Sequence, residues 1–156
     1  WHEYHRQYRE ARKEWNVIPY EIWIDKIKKM APNTLIGDFG CGEAMIRNAI
    51  GSRVQSFDHV AIDPDVESCD MRSVPVKTGT LNVVVFSLSL MGKDWESYIK
   101  EAARCLSYGG QLFISETTNS LSERLKKLEE VIEKNGFEIY LNEEKDSFTF
   151  IEARKL

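Results

Sequence analysis

Thr34-Leu35-Ile36-Gly37-Asp38-Phe39-Gly40-Cys41-Gly42-Glu43-Ala44 is the stretch whose reading decides the fold. A largely apolar run ends near an acid and opens into a loop with two glycines, Asp38-x-Gly40-x-Gly42. The run reads as a strand over 34–39 and the residues after the loop, about 43–50, as a helix. Glycines let the backbone approach a ligand closely and take torsions that other residues avoid. Amides exposed at the start of the helix would attract a carboxylate. The dinucleotide fingerprint Gly-x-Gly-x-x-Gly would need glycine at position 45, where Met45 stands.

Upstream, Trp1, Tyr4, Tyr8, Ala11 and Trp15 recur at spacings of three and four, which predicts a helix over 1–14. A second helix begins near Pro19, since proline suits a first turn. Ile22, Trp23, Ile27 and Met30 give it an apolar stripe, and Pro32-Asn33 breaks it. Downstream, Val54 to Asp58 reads as strand two and Val66 to Asp70 as a short strand three. Leu81 to Ser87 is largely apolar, as a strand buried on both faces should be. A helix over about 94–106 is expected to stop at Gly109-Gly110. Then come a strand over 111–116, a helix from Ser120 to Asn135-Gly136, and strands over about 137–142 and 147–153 around the polar turn Asn142 to Asp146.

Strands alternating with helices imply a parallel sheet covered on both sides. The turn between the last two strands is too short for a parallel crossover, so they should pair antiparallel. Only Asp58 to Pro64 separates strand two from strand three. The usual crossover helix should therefore be missing there, and strand three stunted or irregular. The expected organisation is one domain over 1–156, with N-terminal helices over 1–32 and a Rossmann-like core over 33–156.

The 156 residues include 42% hydrophobic and 29% charged side chains, the balance of a globular protein. Apolar runs such as Val83-Val84-Val85-Phe86 are too short to span a bilayer, so no membrane role is expected. The opening Trp1-His2-Glu3-Tyr4-His5-Arg6 is not a signal peptide, and without an initiator Met it reads as part of something longer. Cys41, Cys69 and Cys105 form no Cys-x-x-Cys, which argues against a zinc site or disulfide framework and suits a reducing compartment. A net charge of −4 argues against wholesale coating of nucleic acid. Residues 1–30 nevertheless carry seven Lys/Arg against five Asp/Glu.

Asp58 ends strand two, eighteen residues past Gly40, a spacing that suits a carboxylate accepting from ribose hydroxyls. A solvated strand-end aspartate is the alternative. Asp63 is a rival, although Asp63-Pro64 reads better as a turn. After strand three, Asp70 could accept from an adenine amino group, and Met71 could pack on the ring. Ser87-Leu88-Ser89-Leu90-Met91-Gly92 leaves the carboxyl end of the central strand, where open α/β sheets bind ligands. It lacks the Asn/Asp-Pro-Pro-aromatic device of one common type of amino-group methyltransferase. His2 and His5 are three apart, a spacing seen in metal sites, but no further ligands accompany them and no metal is expected.

Together, Trp1-His2-x-Tyr4-His5-Arg6, Asp38-Phe39-Gly40-Cys41-Gly42, Phe57-Asp58, Cys69-Asp70-Met71 and Leu88-Ser89-Leu90-Met91-Gly92 resemble the nucleomethylin family, also called ribosomal RNA-processing protein 8. The similarity runs over essentially the whole chain. It implies a class I methyltransferase fold, a doubly wound sheet ending in an antiparallel hairpin. It also implies S-adenosyl-L-methionine as cofactor, with S-adenosyl-L-homocysteine as product, and N1-methylation of an adenosine in large-subunit ribosomal RNA. The family's cofactor contacts fall on His5, Gly40, Asp58, Asp70, Met71 and Ser87, the last being Cys in the family's usual form. The resemblance further implies the nucleus and nucleolus as location and ribosomal RNA as partner, with nucleolar chromatin or ribosome-assembly proteins beside it. Family members carry a basic N-terminal extension. Here Arg6, Arg9, Arg12 and Lys13 are the candidates for phosphate contacts.

A neutral adenine N1 carries a lone pair, so attack needs placement and exclusion of water more than a strong base. Glu116 could take an amino proton afterwards, and no residue is assigned as catalytic. The alternatives are a methyltransferase acting on protein or a small molecule, and a cofactor-binding scaffold in a nucleolar chromatin complex.

Overall fold

The computed structural model describes residues 17–42, 44–61 and 64–156. Helix α1, Pro19–Lys28, opens on its proline and buries Pro19, Trp23, Ile24 and Ile27. Strand β1 is Ile36–Phe39 and helix α2 is Met45–Ile50. Strands β2, Val54–Asp58, and β3, Val66–Ser68, follow. Strand β4, Leu81–Ser87, leads to helix α3, Trp95–Cys105, and strand β5, Leu106–Thr117. Helices α4, Thr118–Leu121, and α5, Leu125–Lys134, precede strands β6, Phe137–Lys145, and β7, Phe148–Lys155.

The seven strands form one sheet in the order β3-β2-β1-β4-β5-β7-β6. The first five run parallel. Strand β7 is antiparallel to both β5 and β6. This is the expected doubly wound sheet ending in an antiparallel hairpin. Chain order reverses between β1 and β4, which opens a crevice at their carboxyl ends.

Alternating side chains send two cores to opposite faces. On one face Phe39 meets Phe57 and Phe86 edge-on, at 5.6 and 5.5 Å between ring centroids. Ile99 of α3 and Leu128 of α5 belong to the same core. On the other face Trp23 stacks on Phe113 at 4.8 Å and joins Ile36, Val83, Val85 and Phe150. Strand β4 lies between these cores and is buried except for Asn82 and the half-buried Ser87 at its end.

Between β2 and β3 there is no crossover helix among the described residues, and β3 is three residues long. The two strands still pair in parallel, Ser56 with Val66 and Asp58 with Ser68. The chain has to step back only two residues, roughly 7 Å, before pairing again, and a loop can do that. Ser68 Oγ donates to His59 O at 2.8 Å and closes it.

Two expectations need correction. Gly109-Gly110 does not stop a helix. Helix α3 ends at Cys105, Leu106 already pairs with Leu81, and the ladder shifts before resuming at Gln111 with Val83. The glycines sit in this irregularity. Gly109 has φ +80°. A Cβ on Gly110 would lie 2.8 Å from Ser107 O. The helix expected from Ser120 is interrupted, with α4 ending at Leu121 and α5 starting at Leu125. Ser120 Oγ donates to Thr117 O and Ser122 Oγ to Asn119 O, each at 3.0 Å. Such local bonds compete with continued helix.

Candidate functional site

The loop after β1 is held in an unusual backbone path. Gly40, Gly42 and Ala44 have φ of 78°, 57° and 57°. At Gly40 a side chain is also excluded by space, because its Cβ would lie 2.6 Å from the Cβ of Ser89. Gly40 N and Cys41 N both donate to Phe57 O, at 2.8 and 2.9 Å. Gly42 N donates to Asp58 Oδ2 at 2.8 Å, and His59 N to Asp58 Oδ1 at 2.7 Å. The amides expected to face a carboxylate are those at the start of the helix, which begin at residue 43, outside the described residues. The amides of Gly40, Cys41 and Gly42 are committed to β2, and the helix behind them has six residues.

What the loop leaves open suits a cation. Asp38 is 3% exposed. Burial, and then the charge of Asp58, raise its carboxyl to about 7. Burial and the same two acids push the Cys41 thiol far up, so it is a neutral wall and not a nucleophile. Ser56 is the register neighbour of Asp38 on β2, and its Oγ is buried without a described hydrogen-bond partner. Each oxygen of Asp58 takes one backbone N–H and keeps a further lone pair for a ligand.

Across the crevice, β4 ends in the loop Leu88 to Gly92. Leu88 has φ +59°, rare for a leucine. Ser89 Oγ donates to Phe39 O at 2.7 Å and so fixes this loop against the glycine loop. Leu90 N donates to Glu116 Oε1 at 2.8 Å, and Arg124 Nη1 donates to Leu90 O at 3.1 Å. Ser87 is half-buried and accepts a long bond, 3.5 Å, from Ser115, which itself accepts from Trp23 Nε1 at 3.0 Å. Glu116 is 1% exposed, and burial raises its carboxyl to about 7.

Asp70 and Met71 follow β3 as the sequence indicates, with altered surroundings. Asp70 accepts from the backbone N, Nε and Nη2 of Arg72, the shortest at 2.7 Å. These bonds hold its carboxyl well down, at about 2. An adenine amino group would have to share it with Arg72. Met71 is 3% exposed, in one core with Phe39 and Phe57. Thus Gly40, Asp58 and the end of β4 are brought together. His5, the helix over 1–14, Arg6, Arg9, Arg12, Lys13 and Asp63 lie outside the described residues. Among the described residues no group of three His, Cys, Asp or Glu could hold a metal, and no helix is long and apolar enough to cross a membrane. Cys41, Cys69 and Cys105 are free thiols.

Sequence reasoning placed the motif containing Asp38 but gave its carboxyl no separate role. The usable signal is an acid inside a strand buried at every position. Ser89 and Arg72 carried no such signal, because their importance lies in contacts across the fold.

A sheet in this order, with a glycine loop after β1 and an acid closing β2, defines a class I methyltransferase fold. A solved TehB-like SAM-dependent methyltransferase from Corynebacterium glutamicum shares it, with a TM-score of 0.75 at 16% identity over 99% of this chain and 97% of that one. The chain belongs to the family described as "Hypothetical methyltransferase", whose model matches residues 1–156. It is similar to ribosomal RNA-processing protein 8 of Caenorhabditis briggsae, 38% identical over 98% of this chain and 47% of that protein. It is also similar to 25S rRNA (adenine(645)-N(1))-methyltransferase of Schizosaccharomyces pombe, 35% identical over 98% of this chain and 52% of that protein. The chain spans about half the length of these curated relatives.

Proposed function

We propose that this chain is the cofactor-binding and catalytic domain of an S-adenosyl-L-methionine-dependent enzyme that methylates N1 of an adenosine in large-subunit ribosomal RNA. The observation that carries the reading is the pairing of Asp38 and Asp58 around a glycine loop whose amides are already committed. Such a site favours a ligand bearing positive charge. S-adenosyl-L-methionine carries a sulfonium and an ammonium, whereas a dinucleotide brings phosphates to the same loop. Gly40, where a Cβ has no room, and the buried carboxyl of Asp38 support this reading.

Gly40 and Asp38 would face the amino-acid end, and Asp58 the ribose. Asp70 and Met71 would border the adenine, Ser87 would lie beside the reacting end, and His5 is assigned through family resemblance. The cofactor supplies a methyl group already activated on sulfur. The protein's task is to hold the acceptor nitrogen in line and exclude water. No general base is needed for the attack, because neutral N1 offers its own lone pair. The N1 of a paired adenine is occupied, so the target must be looped or flipped out.

The adenosine and the ribosomal RNA are inferred from the names of the relatives, as is a nucleolar location. Full-length protein should methylate ribosomal RNA carrying the target adenosine and not the same RNA with guanosine there. Equal incorporation into both, or incorporation only into protein, would overturn the acceptor assignment.

A further inference from the structure

The end of β4 contains a device that cofactor binding alone does not explain. The backbone of Leu90 is gripped on both sides, its N–H by an acid and its carbonyl by a guanidinium. Glu116, the penultimate residue of β5, accepts its N–H at 2.8 Å, and Arg124, just before α5, donates to its carbonyl at 3.1 Å. Arg124 is itself steadied. Its Nε donates to Ser120 O at 3.1 Å, and its guanidinium lies 5.7 Å from the ring centroid of Trp95 on α3. Glu116 is almost wholly buried, and its second oxygen, Oε2, has no described hydrogen-bond partner. Burying a carboxyl for one backbone bond is unfavourable, and a leucine could fill the same space without that cost.

The next residue shows what the grip does. Leu90 is fully buried, whereas Met91 directly after it is 48% exposed, in the loop that leaves the carboxyl end of β4. The preceding residues are fixed as well. Leu88 N donates to Ser115 O at 2.8 Å, and Ser89 Oγ donates to Phe39 O at 2.7 Å. The backbone is therefore anchored residue by residue up to Leu90, and Met91 is the first side chain released to solvent. A methionine can lay a polarizable, adaptable thioether against an aromatic face.

We propose that Met91 is a contact residue for the planar base that accepts the methyl group, and that Glu116 and Arg124 are positioning residues that present it by clamping the two peptide groups that flank Leu90. This rests on the methyltransferase reading above and adds the residues that define its acceptor side. Glu116 touches neither ligand in this scheme and acts through Leu90.

The test uses full-length protein and ribosomal RNA substrate, with variants Met91→Ala, Glu116→Ala, Glu116→Gln and the double Met91→Ala/Glu116→Ala. Met91→Ala and Glu116→Ala should each lower kcat/KM for RNA by about 10- to 100-fold, as a misplaced reactant does. Binding of S-adenosyl-L-homocysteine should stay within about threefold. Glu116→Gln keeps an acceptor oxygen for Leu90 N and should recover most of the activity. The double variant should be little worse than either single one, because both act on the same contact. Additive losses, a Gln variant as weak as the Ala variant, or an unaffected Met91→Ala would each overturn the proposal. Hydrogen exchange at the Leu90 amide gives a readout independent of activity. It should accelerate in Glu116→Ala and stay slow in Glu116→Gln. If wild-type protein fails to methylate RNA, the acceptor assignment fails. The clamp is then judged by exchange alone, and an unchanged Leu90 rate in Glu116→Ala rejects it.

Discussion

Glu101 and Asp38 are both buried acids, and the fold treats them in opposite ways. Glu101, on α3, is 7% exposed and fully partnered. Its Oε2 accepts from Val74 N and Arg104 Nη2, at 2.7 and 2.8 Å, and its Oε1 from Arg104 Nε at 2.7 Å. Arg104 goes on to bond Val74 O, Val76 O and Thr78, tying the 74–78 segment to the helix. Asp38 is more deeply buried, and in place of a counter-charge it has a second acid, Asp58, close enough to raise its carboxyl further. Buried polar groups in proteins are usually satisfied. A satisfied acid in the interior is a structural tie. Two buried acids with raised carboxyls, Asp38 on β1 and Glu116 on β5, flank the carboxyl end of β4 from either side and mark a place arranged for something else.

The contrast is most sharply tested by removing the satisfied acid. Glu101→Ala leaves Arg104 without its counter-charge and Val74 N without an acceptor. It should destabilise the fold by about 3 kcal/mol in denaturant melts, with cofactor affinity unchanged at temperatures where the variant is folded. A loss of affinity as large as the loss of stability would erase the distinction. Next in size is Gly40→Ala, which places a Cβ in a left-handed backbone and against Ser89. A cost of about 1–3 kcal/mol is expected, and it should appear chiefly as weaker binding of S-adenosyl-L-homocysteine in calorimetry. Full binding by this variant would remove the loop from the site.

Asp38→Asn should move stability the other way. In the folded protein the Asp38 carboxyl titrates near 7, against 3.8 as its ordinary value. Between those values the folded state keeps a proton that the unfolded state has released, so ionisation erodes stability as pH rises through this window. The penalty is absent below it and complete above it. The amide cannot ionise, so the variant should be more stable than wild type at pH 8, by up to about 4 kcal/mol, and about equal at pH 4. Its cofactor affinity should fall. A variant that is less stable at pH 8 would show that Asp38 is held by partners after all. Smallest is Ser56→Ala, which removes a buried hydroxyl without a described partner. Stability should change by less than about 0.5 kcal/mol, and a marked loss of binding would make Ser56 part of the site.

Much of this could be read from the residues. The β1 loop, the carboxylate closing β2, the apolar β4 and the terminal hairpin each have a local signature in glycine spacing, charge at a strand end or periodicity. The shortened β3 followed from the few residues available to reach it. The pattern failed where the deciding contact is remote or the local signal has two meanings. Gly109-Gly110 reads equally as a helix stop or as an irregularity within a strand, and only the pairing of Leu106 with Leu81 decides between them. The partners of the Gly40, Cys41 and Gly42 amides, Phe57 O and Asp58, lie sixteen or more residues away and have no local signature. Asp70 looked free because its partner Arg72, although only two residues on, is a side chain whose orientation the sequence does not set.

The claim that Asp38 and Asp58 make a cation-selecting cofactor site is tested most directly by titrating S-adenosyl-L-homocysteine, which keeps the ammonium, into wild-type protein by calorimetry. Parallel titrations at pH 6 in buffers of different ionisation enthalpy would report the protons exchanged. A positive ligand beside Asp38 stabilises its ionised form, so binding should release a fraction of a proton at pH 6, almost none at pH 8.5, and none at either pH in Asp38→Asn. NAD should bind far more weakly. Binding without proton release at pH 6, or comparable affinity for NAD, would contradict the assignment.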